Sequence, residues 1–192
     1  MNHKIIILSG PTAVGKTSVL DLIHKQRKET VYLPVSVTTR PPRPGEANHK
    51  SYHFISKEDF HRLIDTGKFL EWNKRGSGHF YGTTWDEFDR APPKSLKLLD
   101  LDPAGAFAVR ARFPSACLIF LLPPPPELET IERRLRSRKD NMPENELHWR
   151  LAEAKREMEL SYNFNYIVIN DNLDKSVQQI LEIIDSFIEN TQ

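Results

Sequence analysis

The segment GPTAVGKT at residues 10–17 constrains the fold more than any other part of the chain. It fits the pattern G-x-x-x-x-G-K-[ST], and the apolar run KIIIL at 4–8 comes directly before it. Glycines let consecutive backbone N–H groups converge on an anion, and a helix that begins near the lysine adds partial positive charge. The pattern therefore predicts a strand, a phosphate-binding loop and a helix, in that order.

Four apolar runs of strand length indicate a buried parallel sheet; they span residues 4–8, 96–102, 116–122 and 166–170. Segments with helical spacing separate these runs, and such alternation is typical of an α/β fold. One stripe near the end of the chain predicts a closing amphipathic helix. Its members are Val177, Ile180, Leu181, Ile184, Phe187 and Ile188.

Two stretches differ from this core. Residues 35–87 are rich in Pro, Gly, His and aromatics, and short alternating pieces such as SYHFIS and KFLEWN favour a small antiparallel or mixed sheet. Residues 133–150 carry five arginines without an apolar run, so we expect them to stand away from the core.

Composition excludes several classes of protein. The chain has 192 residues and a formal net charge of +1, which favours neither disorder nor a nucleic-acid-coating surface. The single cysteine, Cys117, lies in an apolar run and is expected to be a buried strand residue in a reducing compartment. No apolar stretch approaches the ~20 residues that span a membrane. The first ten residues contain too few apolar residues to form the core of a signal peptide. We expect a cytoplasmic protein that contacts neither membrane nor nucleic acid.

The histidines do not predict a metal site. Only His49 and His53 are four residues apart, and they lie in a turn-to-strand segment where that spacing does not align two ligands.

The loop predicts a nucleoside triphosphate, with Lys16 bridging its outer phosphates and the Thr17 hydroxyl available to Mg²⁺. A second phosphate is predicted by SVTTRPPRPGE, where Arg40 and Arg43 sit on a proline-stiffened backbone that suits bidentate capture. Tyr52 and Tyr81 follow in aromatic settings and can donate phenolic hydrogen bonds to the same group.

The chain resembles the guanylate kinases, which are phosphate-binding-loop (P-loop) nucleoside monophosphate kinases. SVTTRPPRPGE, SYHF, FLEW, FYGTT, LLDLD, PPPELETIERRLRSR and YIVINDN occur in the order seen in that family, over almost the whole chain. The resemblance implies Mg-dependent phosphoryl transfer from ATP to GMP, and to dGMP, giving ADP and GDP. It implies an α/β kinase core (1–34, 88–134 and 164–192), a GMP-binding insertion (35–87) and a helical lid (135–163).

The resemblance also implies the roles of particular residues. ATP would be bound by Gly10, Pro11, Thr12, Ala13, Val14, Gly15, Lys16, Thr17, Ser18 and Asn170. The GMP phosphate would be gripped by Arg40, Arg43, Tyr52 and Tyr81, and the guanine surrounded by Ser36, Glu71, Thr83 and Asp102. The transferring phosphoryl group would be held by Lys16, by the lid arginines Arg134, Arg138 and Arg150, and by Asp100, which with Thr17 would hold Mg²⁺ mostly through water.

A carboxylate such as Glu71 can accept together from the N1–H and N2–H₂ groups of guanine, a donor pair that adenine lacks. The sequence departs from the family pattern at Pro103, Ala104 and Lys139, so the acceptor pocket wall and the lid are expected to differ. Two other functions stay open: a guanylate-kinase-like interaction module without catalysis, and a P-loop kinase for another phosphorylated acceptor. The oligomeric state is not indicated by the sequence.

Overall fold

The structure is a computed structural model that describes residues 3–43, 45–49, 51–137 and 142–190. The strands are β1 (Ile5–Ser9), β2 (Val31–Tyr32), β3 (Val37–Thr38), β4 (His53–Phe54), β5 (Phe69–Lys74), β6 (Phe80–Thr84), β7 (Leu96–Asp100), β8 (Cys117–Leu122) and β9 (Tyr166–Ile169). The helices are α1 (Lys16–Arg27), α2 (Lys57–Asp65), α3 (Trp85–Asp89), α4 (Pro103–Arg112), α5 (Glu127–Arg136), α6 (Glu144–Glu159) and α7 (Leu173–Glu189), with a 3₁₀ turn at Ser161–Asn163.

The core is a five-stranded parallel sheet in the order β2-β7-β1-β8-β9. Side chains of β1 alternate between its faces: Ile6 and Leu8 join one hydrophobic cluster, and Ile5 and Ile7 join another. Both faces are therefore covered by apolar packing, which explains why the strands are continuous apolar runs rather than alternating ones. The predicted α/β fold with helices flanking a parallel sheet is confirmed.

The sequence missed one strand of this sheet. β2 consists only of Val31 and Tyr32, which pair in parallel with Leu96 and Lys97 of β7. Two residues cannot show a period, so the pattern carried no signal for this edge strand. The closing helix is confirmed, since α7 buries Val177, Ile180, Leu181 and Ile184 and packs Phe187 and Ile188 against the same cluster.

A second sheet has the order β4-β3-β6-β5. In the sequence its strands come between β2 and β7 of the core sheet. β3 pairs with β4 in parallel and with β6 antiparallel, so the sheet is mixed, as expected. Helix α2 packs on it through Phe60, whose ring stacks on that of Phe69 with centroids 4.5 Å apart. This small core, separate from the two around the parallel sheet, gives the insertion its own rigidity.

The prediction that residues 133–150 stand away from the core is wrong for their two leucines. Leu135 on α5 and Leu147 on α6 are 1% and 3% exposed and belong to the large cluster around the sheet. Both helices are amphipathic over a wider window than this stretch, and the dense arginines hid that apolar face. Arg138 and Lys139 lie outside the described residues.

The carboxyl ends of the parallel strands position the site. The loop at 10–15 follows β1, Asp100 ends β7 and Asn170 follows β9. Because Leu8 pairs with Asp100 in register, that carboxylate lies beside the start of the loop. Within the described part of the chain, no helix combines the length and the apolar character needed to cross a membrane.

Candidate active site

One cleft of about 1160 Å³ brings together most of the residues that the sequence indicated. Its lining includes loop residues 11–18, Ser36, Arg40, Arg43, Tyr52, Tyr81, Asp100 and Arg150. The phosphate-binding loop forms one part and the arginine and tyrosine cluster another, so two anionic groups can be held in the same cleft.

The loop needs glycine at both ends. Gly10 has φ 147° and a Cβ there would lie 2.5 Å from the carbonyl oxygen of Leu121 on β8, so only glycine fits. Gly15 has φ 105° and caps α1, which begins at Lys16. The loop backbone therefore turns its N–H groups and the positive end of α1 toward the cleft.

The lysine of the loop lies between a carbonyl and a carboxylate. Lys16 Nζ donates to Gly10 O at 2.5 Å and lies 4.0 Å from Asp100 Oδ1. The Asp100 side chain is 34% exposed and lines the cleft, while Thr17 is exposed at the start of α1. A hydroxyl and a carboxylate are the hard oxygen donors that suit Mg²⁺.

Arg134 and Asn170 both donate hydrogen bonds to the backbone of the loop. Arg134 donates from Nη1 to Val14 O at 2.9 Å and from Nη2 to Asn170 O at 3.1 Å. Asn170, which is 6% exposed, donates from Nδ2 to Val14 O at 2.8 Å. These contacts fix the loop backbone, and neither residue lines the cleft.

Arg150 lies on α6 and lines the cleft, where Glu146 of the same helix accepts from its Nε at 3.0 Å and its Nη2 at 2.5 Å. This pair is partly exposed, so its contribution is small and the guanidinium can exchange partners.

The acceptor phosphate cluster is organised by a residue that sequence reasoning missed. Glu46 accepts from Arg40 Nη2 at 2.9 Å through Oε1 and from the Arg43 N–H at 2.7 Å through Oε2. Burial raises the pKa of Glu46, but the hydrogen bonds from Arg40 and Arg43 outweigh it and lower the pKa below its ordinary value. Its place beside two arginines in SVTTRPPRPGE was the available signal.

The two tyrosines complete that cluster. Tyr52 and Tyr81 lie with ring centroids 6.0 Å apart, and the guanidinium of Arg40 lies 5.6 Å from the Tyr52 centroid. Burial, and then the charge of Asp100, raise the pKa of Tyr52. The phenol therefore keeps its proton and can donate to a phosphate.

Two of the residues predicted to surround the base carry buried polar atoms that are poorly hydrogen-bonded. Glu71 on β5 is 7% exposed and Thr83, its partner on β6, is fully buried. Among the described residues, neither Glu71 Oε1 nor Thr83 Oγ1 makes a hydrogen bond of good geometry, although the two residues lie close enough for Thr83 to lower the pKa of Glu71. Burial raises the pKa of Glu71 to about 7 and the charge of Asp102 acts in the same direction, although Thr83 and Arg75 oppose it.

Asp102 is engaged on both oxygens. Oδ1 caps α4 by accepting from the Gly105 N–H at 2.8 Å, and Oδ2 accepts from Asn73 Nδ2 at 2.9 Å. A Cβ on Gly105 would lie 2.9 Å from Glu71 Oε2 and 3.4 Å from Asp102 Oδ1, so this glycine leaves room for both carboxylates. Two carboxyl groups thus lie close together at the N-terminus of α4.

Of the residues that depart from the family pattern, Pro103 is buried at the first position of α4 and Ala104 is exposed. Both line a second cavity of about 270 Å³ with Asn73, Arg75 and Trp149. Sequence reasoning assigned no role to Asn73 or Arg75, because their contacts with Asp102 depend on how the β5–β6 hairpin folds.

His49 and His53 contact each other, a contact that the sequence did not indicate. Their Nδ1 atoms lie 2.7 Å apart, because His49 has φ 62° and its N–H donates to Tyr52 O, which folds the turn back on the strand. In the parts of the chain that the structure describes, no group of three or more His, Cys, Asp or Glu side chains is arranged to hold a metal. Cys117 is a buried free thiol as expected, and burial raises its pKa to about 11.

The parallel sheet, the loop at the end of β1 and the arginine-bearing helices define a P-loop kinase of the α/β class. Within that class, the family model for guanylate kinases matches residues 2–187. The chain belongs to the guanylate kinase family.

The chain is 39% identical to a guanylate kinase of Synechococcus sp. (strain JA-3-3Ab), over 92% of this chain and 80% of that protein. It is 38% identical to one of Nostoc sp. (strain PCC 7120 / SAG 25.82 / UTEX 2576), over 94% and 88%. The crystal structure of guanylate kinase from Anaplasma phagocytophilum matches with a TM-score of 0.78 and 27% identity, over 96% of this chain and 85% of that one. A gluconokinase from Sinorhizobium meliloti 1021, 14% identical with a TM-score of 0.53, shares the fold alone.

Proposed function

We propose that the protein transfers the γ-phosphoryl group of ATP to GMP, and to dGMP, giving ADP and GDP. The observation that carries the proposal is that the phosphate-binding loop and the Arg40, Arg43, Tyr52 and Tyr81 cluster line the same cleft. In-line transfer requires two phosphate-bearing molecules to meet end to end, and this cleft has one cradle for each.

The donor end binds the ATP phosphates through loop N–H groups and Lys16. An oxygen of the GMP phosphate forms a bond to the γ-phosphorus while the bond to the β,γ-bridging oxygen breaks, and ADP leaves. Because the GMP oxygen is already an anionic nucleophile and the transition state is loose, positioning and charge neutralisation do the catalysis. Lys16 and Arg150 both line the cleft and would supply positive charge to the transferring group. Arg138, which the family pattern adds to them, lies outside the described residues.

Arg134 has a different part in this proposal. Its guanidinium holds the carbonyls of Val14 and Asn170, so it keeps the loop in shape and places positive charge behind the phosphates. Asn170 does the same through its bond to Val14, and its family position beside the adenine is compatible with that contact.

Mg²⁺ would be held by the nucleotide phosphates, the Thr17 hydroxyl and Asp100, the last mostly through water. The Thr17 and Asp100 side chains fit the ion because both offer oxygen atoms. Thr17 follows Lys16 in the chain, and Asp100 lies near Lys16 and is partly exposed to the cleft. When bound, the ion supplies charge neutralisation at the transferring phosphates.

Guanine would be recognised by the unpartnered atoms of the base pocket. Glu71 would accept from N1–H and N2–H₂, with Thr83, Asp102 and Ser36 completing the surround. Adenine would leave the buried Glu71 oxygen unpaired, which costs far more than losing one exposed hydrogen bond.

The buried free thiol of Cys117 suits a reducing compartment, and we place the protein in the cytoplasm.

A coupled assay of ADP formation with GMP, dGMP, AMP, UMP and CMP as acceptors tests the proposal. We expect turnover with GMP and dGMP and at least about a hundredfold lower kcat/KM with AMP. Equal rates with AMP would contradict the guanine assignment. If none of the five nucleotides is phosphorylated, the result would favour a non-catalytic interaction module.

A further inference from the structure

Arg75 is a buried cation that the proposed transfer mechanism does not use. It begins the turn between β5 and β6, where its N–H donates to His79 O at 2.9 Å and its carbonyl accepts from the Gly78 N–H at 2.8 Å. These bonds close the hairpin tip. The side chain is only 28% exposed and its Nε is buried without a hydrogen-bond partner among the described residues. A buried donor atom without a hydrogen-bond partner is uncommon in proteins, so the charged groups around it call for an explanation.

Two residues of the proposed GMP site lie against Arg75. Its guanidinium carbon is 5.0 Å from the ring centroid of Tyr81, and its Nε is 3.6 Å from Asp102 Oδ2. The same Asp102 oxygen accepts from Asn73, the neighbour two residues earlier on β5. One side chain of the insertion therefore contacts the phosphate end and the base end of the acceptor site.

The lid helix α6 meets the same hairpin tip. A Cβ on Gly76 would collide with the indole of Trp149, so the hairpin backbone lies directly on that ring. Glu153 and Glu157 lie one and two turns further along the same face of α6. With Arg75, Asp102 and Trp149 they line the cavity of about 270 Å³ between hairpin and lid.

Three cations and three carboxylates line this cavity: Lys74, Arg75 and Arg156, and Asp102, Glu153 and Glu157. Burial raises the pKa of Glu157 to about 7 and also raises that of Glu153, while the charge of Arg75 lowers both. The other described cations that act on these carboxylates are Arg150 and Arg156, on α6 itself, and Lys16, in the core. Arg75 is the one of these four that belongs to the insertion, so it attracts the carboxylates of α6 from the other side of the cavity.

We infer that Arg75 is a positioning residue that couples GMP binding to the placement of α6 over the reacting phosphates. The inference rests on the proposed function. GMP that fixes Tyr81 and Asp102 also fixes the Arg75 guanidinium between them. The guanidinium then attracts Glu153 and Glu157, and α6 brings Arg150, the neighbour of Trp149, toward the transferring group. Binding at one substrate site thereby favours binding at the other, and the relation is reciprocal.

Calorimetry of Arg75→Ala, Arg75→Lys and wild type tests this coupling, with Kd for GMP measured with and without a non-hydrolysable ATP analogue and Mg²⁺. In wild type we expect the analogue to lower Kd for GMP about tenfold, and in Arg75→Ala less than about twofold. Arg75→Lys should recover part of the coupling. The matched control is Arg62→Ala on α2, an exposed arginine of the insertion that lines neither cavity and should leave the coupling intact.

Gly76→Ala breaks the contact with Trp149 sterically while leaving Arg75 in place, and it should lower the coupling as well. In each variant Kd for the ATP analogue alone should stay within about twofold of wild type, which general damage to the fold would not allow. Coupling absent in wild type, or equal in Arg75→Ala and Arg62→Ala, would overturn the inference. A wild type that does not phosphorylate GMP would instead contradict the proposed function.

Discussion

The phosphate-binding loop and the residues predicted to surround the base differ in how well their polar atoms are hydrogen-bonded within the protein. At the loop, the carbonyls of Gly10 and Val14 accept from Lys16, Arg134 and Asn170 within the protein. Around the predicted base site, Glu71 and Thr83 hold buried oxygens that make no hydrogen bond of good geometry in the described part of the chain. The loop is held in place within the protein, whereas we expect the buried oxygens at the second site to gain their partners from a bound base.

This difference separates two ways of making a binding site. A loop that must grip phosphates common to every nucleoside triphosphate gains from rigidity, which the buried hydrogen bonds supply. A pocket that must reject the wrong base gains from a buried group that only the right base can satisfy. The second strategy lowers the stability of the free protein, a cost often found at functional sites.

Lys16→Ala should have the largest effect on activity, because it removes the cation of the loop at the outer phosphates. We expect kcat to fall about 10³-fold, while GMP binding changes little because Lys16 lies at the donor end of the cleft. Steady-state kinetics and GMP calorimetry measure the two quantities. Lys25→Ala, an exposed lysine on the same helix, is the control. A loss of GMP affinity equal to the loss of kcat would show that the two ends of the cleft are not separable.

Glu71→Gln should have the next largest effect, and on selectivity rather than on the phosphate chemistry. A carboxamide can accept only one of the two guanine donors and presents its own N–H₂ to the other, so kcat/KM for GMP should fall about a hundredfold. The rate with AMP should change much less. Kinetics with both acceptors measure the ratio, and an unchanged preference for GMP would show that Glu71 does not read the base.

The same substitution should stabilise the free protein at neutral pH. The pKa of Glu71 is raised to about 7, so the folded state binds its proton more readily than the unfolded chain does. Its contribution to the free energy of unfolding is therefore greatest in acid and is lost as the pH rises through that pKa. Relative to Glu71→Gln, wild type should lose roughly 2 kcal/mol between about pH 5 and about pH 7.

Urea unfolding of both proteins at the two pH values measures this difference. The pKa of Glu157 is also raised to about 7, but that residue is present in both proteins and cancels. A difference in unfolding free energy that does not change with pH would mean that Glu71 carries no electrostatic cost.

The two regions also differ in how well the sequence predicts them. The loop is contiguous, and its glycines, Lys16 and Thr17 are required by backbone geometry that the pattern states directly. The parallel sheet was equally visible, because buried strands are apolar throughout. The mixed sheet, too, was indicated by short alternating pieces.

On the acceptor side, the residues themselves predicted a second phosphate site at Arg40 and Arg43, the resemblance indicated the base-contacting residues, and the supporting contacts were not indicated at all. Asn73 and Arg75 reach Asp102 across 29 and 27 positions of sequence, and only the folded hairpin makes that contact. The His49 and His53 contact was missed because a positive φ in the turn has no marker when the residue is not glycine. Long-range contacts and local backbone exceptions are what single-sequence patterns do not encode.

Glu46→Gln should have the smallest effect and shows where the phosphate cluster stands between the two extremes. Arg40 is held by Glu46 through a charge-assisted hydrogen bond, with side chains 11% and 22% exposed, so the cluster is pre-assembled like the loop but partly open to water. Gln keeps the shape and one acceptor, so KM for GMP should rise only about fivefold, with kcat nearly unchanged. Initial rates at varied GMP measure this, with Glu58→Gln, an exposed glutamate on α2, as the control. A drop in kcat larger than the rise in KM would mean that Glu46 also shapes the transition state, and that the acceptor phosphate is positioned as strictly as the donor's.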